Sequence, residues 1–131
     1  MQRFRHITIS FTLCRPGHEH TPTCQWGKQF PAEVTECVGT GLAIQHLYHP
    51  SHEQLEYYGI THVASGRLLT GLSTWTLIEA ALWLRLIKDV TDWTQPAELL
   101  QRSEELLQSV HQAREQAIRR YVRMVQKGGV R

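Results

Sequence analysis

The stretch that decides the fold is YYGITHVASGRLLTGLSTWTLIEAALWLRLIKDVTDW, residues 57 to 93. Its first part is rich in β-branched and aromatic residues over 57–63 and again apolar over 67–72, which predicts two antiparallel strands. Gly66 lies in the short turn between them, where a three-residue hairpin loop needs a left-handed backbone conformation. The stretch therefore predicts a β-hairpin that is followed at once by a helix.

The predicted helix covers residues 76–93. Thr76 and Glu79 match a capping box, in which the hydroxyl and the carboxylate each accept a hydrogen bond from a free amide at the helix start. Between residues 77 and 90 the charged side chains are few: Glu79, Arg85, Lys88 and Asp89. So narrow a polar face predicts a helix that is buried against a sheet or another helix.

The N-terminal segment 4–13 alternates with period two, which is typical of a half-buried strand. Its apolar positions are Ile7, Ile9, Phe11 and Leu13, and its polar positions are His6, Thr8, Ser10 and Thr12. We expect the apolar face to pack on the helix at 76–93. The polar face is expected to meet water or a ligand.

Two further strands are predicted at residues 32–38 and 42–48. Glu33 and Glu36 favour an edge position for the first of them. Because the connections between these strands are short, we expect an antiparallel meander of four or five strands. With the helices that follow, the predicted fold class is α+β.

A second helix is predicted over residues 96–127, with Gly128 and Gly129 ending it. A helix of about 30 residues would reach about 45 Å, whereas a domain of this size has a radius of gyration of about 14 Å. It must therefore project, break, or pack on a second copy. We interpret its apolar stripe as a homodimer interface, formed by Leu99, Leu106, Val110, Ala113, Ala117 and Met124.

Length and composition predict one domain over residues 1–131, with a β-rich part at 1–72 that contains a loop at 14–28. The 41% hydrophobic and 20% charged content is ordinary for a soluble globular protein. No segment is long and apolar enough for a membrane span or a secretory signal, so we expect a cytoplasmic protein without membrane contact. Three cysteines are a poor basis for a disulfide framework, which agrees with that compartment.

The loop contains a donor set that suits zinc: Cys14, His18, His20 and Cys24. Two thiolates and two imidazoles can complete a tetrahedral site, and a site with four protein ligands would be structural. The spacing differs from the usual zinc-finger patterns, and the alternative is a solvated loop without metal. Structural zinc is thus a possible cofactor, and no other cofactor is indicated.

A second cluster consists of His46, His49 and His52, to which His62 or Glu53 would add a further ligand. Three protein ligands leave one coordination position for water, as a metal-dependent enzyme requires. The alternative is a group of solvated surface histidines. The sequence carries neither a Gly-x-Ser-x-Gly nucleophile elbow nor a phosphate-binding glycine loop, which favours a protein that is not an enzyme.

The C-terminal end of the second helix is strongly basic. Six cations and one acid, Glu115, lie between residues 114 and 131, a local excess of five positive charges; the cations are Arg114, Arg119, Arg120, Arg123, Lys127 and Arg131. Such a surface can neutralise phosphates, and Tyr121 beside it could stack on a base or sugar. Arg3 and Arg5 would extend the surface if the fold brought them close. The alternative is a solvated helix end whose cations suit the helix dipole.

These features predict a small non-enzymatic binding protein that contacts nucleic-acid phosphates, or an acidic protein, through its basic C-terminal helix. One alternative is a protein-interaction or inhibitor module without nucleic-acid contact. A second alternative is a metal-binding protein or a metal-dependent enzyme that uses the histidine-rich loops. Trp75, Trp83 and Trp93 are interpreted as core or interface aromatics, with Trp75 and Trp93 closing over the ends of the first helix.

Overall fold

The structure, a computed structural model, describes residues 3–12, 29–49, 52–70, 72–96 and 104–127. Five strands precede two helices: β1 (Phe4–Thr12), β2 (Gln29–Cys37), β3 (Leu42–His49), β4 (His52–His62), β5 (Arg67–Leu68), α1 (Leu77–Ile87) and α2 (Glu104–Gln126). The strands form one antiparallel sheet in the order β1-β2-β3-β4-β5. The predicted α+β class, the meander and the long last helix are confirmed.

The sheet consists of two long hairpin ribbons that share a short ladder. β1 pairs with β2 from Phe4↔Cys37 to Thr12↔Gln29, and β3 pairs with β4 along most of their length. β2 and β3, by contrast, pair over residues 35–37 and 42–44. The two ribbons can therefore turn relative to each other beyond this ladder.

The sheet is curled, so that the turn after β4 lies against β1. Gly66 in that turn has φ +69°, a backbone conformation that residues other than glycine rarely adopt. A Cβ atom at this position would overlap the Ser10 carbonyl oxygen in β1. The glycine expected from hairpin geometry thus also permits the close approach of the turn to the opposite edge strand.

The main core lies between the sheet and the helices. Leu42 and Ile44 in β3 and Ile60 in β4 are buried in one cluster with residues of both helices, among them Trp83, Leu84, Ile87 and Val110. α1 makes its closest sheet contacts with β3 and β4. The hairpin and helix of residues 57–93 therefore form the centre of the fold.

The apolar face of β1 does not belong to this core. Ile7 pairs with Val34, while the next residue of β2, Thr35, pairs with Ile44 of the core cluster. Because neighbouring strand residues face opposite sides, Ile7 lies on the sheet face away from α1. The prediction that this face packs on the helix was wrong, since β1 is an edge strand whose half-buried apolar residues line the other face.

The edge position expected for β2 was also wrong. β2 lies between β1 and β3, and the buried carboxylate of Glu36 accepts a hydrogen bond from Arg5 Nε at 2.7 Å. The charge of Glu36, which had suggested an exposed edge strand, is compensated by the paired arginine on β1. A carboxylate inside a strand therefore indicated a cross-strand ion pair here.

Both ends of α1 are closed by specific hydrogen bonds. The predicted capping box is present, with Glu79 N donating to Thr76 Oγ1 at 3.1 Å and Thr76 N donating to Glu79 Oε1 at 3.1 Å. At the other end, the buried Trp93 donates from Nε1 to the Ile87 carbonyl at 2.7 Å. Neither helix in the described part of the chain has the length and apolar character needed to cross a membrane.

α2 packs against α1 in the opposite direction. Trp83 Nε1, in the second half of α1, donates to the Val110 carbonyl at 2.9 Å. One turn further along α2, Arg114 Nε donates to the carbonyl of Ser73, just before α1, at 2.7 Å. The C-terminal turns of α2 therefore extend past the N-terminus of α1.

Candidate functional site

The first part of α2 is committed to the core of its own chain. Val110, Ala113 and Ala117 are buried, and Leu106 packs partly buried against the same cluster. These three side chains cannot contact a second copy unless α1 moves away. Of the other residues in the predicted dimer stripe, Met124 is exposed and Leu99 lies outside the described residues.

The last part of α2 is a projecting helix end, which we call the distal segment and define as residues 118–127. Val122, Met124 and Val125 are all exposed, although these residue types are usually buried. The burial pattern changes at Ala117, the last buried residue of α2. Beyond that point α1, the described element against which α2 packs, has ended.

Four of the predicted site cations lie on the distal segment, and all are exposed: Arg119, Arg120, Arg123 and Lys127. The spacing of four residues places Arg119, Arg123 and Lys127 on one helix face. Among the described residues, none of the four takes part in an ion pair. The distal segment therefore presents a row of positive charges to solvent.

Arg114 differs from these four. Its side chain is 19% exposed, and its guanidinium binds the Ser73 carbonyl and lies 3.0 Å from Glu115 Oε1. This arginine holds α2 to the segment before α1. Arg131, the last of the predicted cations, lies outside the described residues.

The N-terminal arginines lie away from the distal segment. Arg3 lines a groove of about 570 Å³ with Lys88, Asp89 and Trp93, beyond the C-terminus of α1. Arg5 is paired with Glu36. Since the distal segment extends past the other end of α1, these arginines do not extend its positive surface.

An exposed apolar segment lies beside the start of α1. Trp75 is 65% exposed and Leu77 is 52% exposed, and Leu72 and Ile78 are exposed as well. Trp83 and Trp93, by contrast, are fully buried, so Trp93 closes an end of α1 as predicted and Trp75 does not. One sequence feature could have indicated the exposure of Trp75. Trp75 directly precedes the N-cap Thr76, and an apolar residue there usually packs against the side chain at the fourth helical position. That position is Ala80, whose side chain is too small to cover an indole.

His62 is a buried structural residue. Its Nδ1 lies 2.8 Å from Ser65 Oγ, and its Nε2 lies 2.9 Å from the carbonyl oxygens of both Trp93 and Gln95. These bonds join the end of β4 to the loop after α1 and leave neither ring nitrogen directed to solvent. The imidazole is therefore used by the fold, and its position between the two carbonyls fits an Nε2 donor.

His46, another member of that cluster, does not join His62. His46 is exposed and stacks on Tyr58, with ring centroids 4.9 Å apart. The side chains of His49 and His52, and the whole loop with Cys14, His18, His20 and Cys24, lie outside the described residues. Within the described ranges, no group of three or more potential metal ligands is present.

Comparison with known proteins gives no relative from which a function could be transferred. No protein-family model, no curated protein and no solved structure matches the chain.

Proposed function

We propose that this chain is a small binding protein whose distal segment contacts the phosphates of nucleic acid. The observation that carries the proposal is a group of four exposed cations, three of them on one helix face, at a helix end that extends past its own core. Arginines in that state bind phosphate without first breaking an ion pair. Their release of counterions from the nucleic acid would supply the binding free energy.

Two of the three acids of α2 are too distant to compensate these charges, and the third, Glu115, lies 3.0 Å from Arg114 Nη1. Glu104 and Glu105 occupy the first turn of the helix. Fourteen residues separate Glu105 from Arg119, which corresponds to about 21 Å along the axis. Because the Debye length at physiological salt is about 8 Å, the distal segment acts as a local positive surface although the whole chain is nearly neutral.

The expected role is to hold the sugar–phosphate backbone. The cations lie on the outside of a single helix end, and arginine contacts to phosphates fix position without reading sequence. We therefore expect binding that depends strongly on salt and weakly on base sequence.

The direct test is charge reversal within the distal segment. We expect Arg119→Glu with Arg123→Glu to weaken binding of a fluorescein-labelled mixed-sequence oligonucleotide at least about tenfold at low salt. The matched control is Arg3→Glu with Arg85→Glu, which makes the same change in net charge at exposed positions elsewhere. Fluorescence anisotropy measures both, and thermal melting reports whether each variant is folded.

Two results would contradict the proposal. Equal weakening by both double variants would mean that only overall charge matters. No binding by the wild type at low salt would exclude a phosphate partner, and binding of an acidic polypeptide in its place would assign the basic helix to an acidic protein.

A further inference from the structure

The segment before α1 runs along α2 toward the distal segment, and both carry exposed apolar residues. Thr70 Oγ1 lies 3.0 Å from His111 Nε2, and Arg114 Nε binds the Ser73 carbonyl, so the chain after β5 runs along the face of α2 that carries these two residues. Positions four, eight and eleven residues after Arg114 continue the same face of a helix, and they are Ile118, Val122 and Val125.

Trp75 lies where this surface begins. It follows Ser73 by two residues, so it stands next to the turn of α2 after Arg114. Its indole is the largest exposed apolar group of the described residues. The resulting surface has an aromatic group at one end and valines along the helix. Arg119, about 60° around the helix from Val122, lies at its border, and Arg123 follows one turn later on the adjoining face.

The charges around this surface argue against a second copy of the chain as its occupant. In a two-fold dimer the same patch is used by both copies, so Arg119 and Arg123 of the two copies would bring four arginines into or beside one interface. Like charges at an interface cost several kcal/mol unless they are neutralised. The occupant must instead bring negative charge beside the apolar and aromatic groups.

We infer that this surface binds single-stranded nucleic acid, with a base stacked on Trp75 and the backbone phosphates on Arg119 and Arg123. The inference rests on the proposed function and names the form of nucleic acid that the site accepts. An unpaired base offers a flat face to the indole, whereas a duplex hides its bases in the stack. The rise between Arg119 and Arg123 is about 6 Å, comparable to the separation of phosphates along an extended strand.

The test compares a single-stranded oligonucleotide with a duplex of the same sequence. We expect the wild type to bind the single strand more tightly. Trp75→Ala should weaken binding of the single strand about 5- to 150-fold, which corresponds to the loss of one base–aromatic stack, and should change duplex binding about twofold or less. Trp75→Phe, which keeps an aromatic face, should recover part of the loss.

Leu77→Ala is the matched control for a general apolar effect, since Leu77 is exposed in the same segment. We expect it to leave single-strand affinity unchanged within about twofold. Tryptophan fluorescence in a Trp26→Phe background gives an independent readout, because two of the other three tryptophans, Trp83 and Trp93, are buried and Trp75 is exposed. Quenching by the single strand should be smaller when Trp75→Phe is added to this background.

The outcomes separate this inference from the proposed function. Unchanged single-strand affinity in Trp75→Ala, with binding lost on reversal of Arg119 and Arg123, would overturn the stacking role and leave phosphate binding intact. Equal losses in Trp75→Ala and Leu77→Ala, or equal wild-type affinity for duplex and single strand, would also overturn it. If neither the arginines nor Trp75 affects binding, the proposed function and the inference both fail.

Discussion

The two parts of α2 have the same amphipathic pattern and opposite environments. Residues 104–117, the proximal half, bury Val110, Ala113 and Ala117 against α1 and the chain before it. The distal segment continues this apolar face at Met124, seven residues after Ala117, yet the Met124 side chain is exposed. Periodicity in a helix therefore predicts which face is apolar, and the length of the neighbouring helix decides how much of that face is buried.

The same difference separates the arginines. Arg114, in the proximal half, is half-buried and hydrogen-bonded to Ser73, while Arg119 and Arg123 are exposed and unpaired among the described residues. Arginine residues therefore have two different environments along one helix. The proximal half stabilises the fold, and the distal segment is available to a partner.

The largest expected effect contrasts two tryptophans. Trp83→Ala should lower the free energy of unfolding by about 3–5 kcal/mol, because it leaves a cavity and removes the bond to the Val110 carbonyl. Trp75→Ala should change it by less than about 0.5 kcal/mol, since the indole is exposed. Urea unfolding measures both values. Comparable losses of unfolding free energy in the two variants would contradict the assignment of Trp83 to the core and of Trp75 to the exposed surface.

A smaller effect is expected for the arginines. Arg114→Ala should destabilise the protein by about 1.5–3 kcal/mol, because it removes a charged hydrogen bond to the Ser73 carbonyl. Arg119→Ala should stay within about 0.5 kcal/mol of the wild type. Thermal denaturation of the two variants at one pH compares them directly, and a destabilising Arg119→Ala would assign the distal segment a structural role.

Loss of the capping box at the start of α1 should lower the free energy of unfolding by less than loss of the Arg114 hydrogen bond. Thr76→Ala removes the acceptor for the Glu79 amide, and we expect a loss of about 1 kcal/mol in stability. Hydrogen exchange should locate the change in the first turn of α1, near the end of the proximal half. If oligonucleotide binding fell as well, the cap would have to position the partner surface in addition to stabilising the helix.

The smallest effect concerns Asp92, at the opposite end of α1 from the distal segment. Hydrogen bonds from the Thr94 side chain, and secondarily from its backbone amide, hold the pKa of this carboxyl below its usual 3.8. The folded state thus binds the proton more weakly than the unfolded state. The stabilisation is complete well above pH 3.8 and is lost as the pH falls through the lower folded-state pKa.

Asp92→Asn should therefore be slightly less stable than the wild type at neutral pH, and the difference in melting temperature should disappear in acid. Binding of oligonucleotides at neutral pH should remain unchanged, since Asp92 lies in the groove with Arg3. A stability difference that persists at the lowest pH would assign the effect to packing.

Local patterns in the sequence predicted much of the fold. The capping box at Thr76, the left-handed Gly66 and the order of the strands each depend on residues close together in the chain. Turn and cap chemistry act over a few residues and have few alternatives. These features were therefore recognisable without the structure.

Features that depend on distant contacts were not recognisable in this way. The burial of Val110 against α1, the orientation of β1, and the bonds from His62 to Trp93 and Gln95 all join segments far apart in sequence. The exposure of Trp75 depends on where α2 passes the start of α1. Sequence did locate the basic residues of the distal segment, but it could not separate Arg114 from them, because only the packing of α2 brings Arg114 to Ser73.

The salt dependence of oligonucleotide binding is the most direct test of phosphate contact by the distal segment. If the distal segment contacts phosphates, Arg119→Gln with Arg123→Gln should reduce the slope of log K against log salt concentration by about 1.4 for a single strand. The same plot for Arg3→Gln with Arg85→Gln should keep the wild-type slope. A slope that is unchanged in the Arg119 and Arg123 variant, or equally reduced in both, would contradict the assignment of phosphate binding to this helix end.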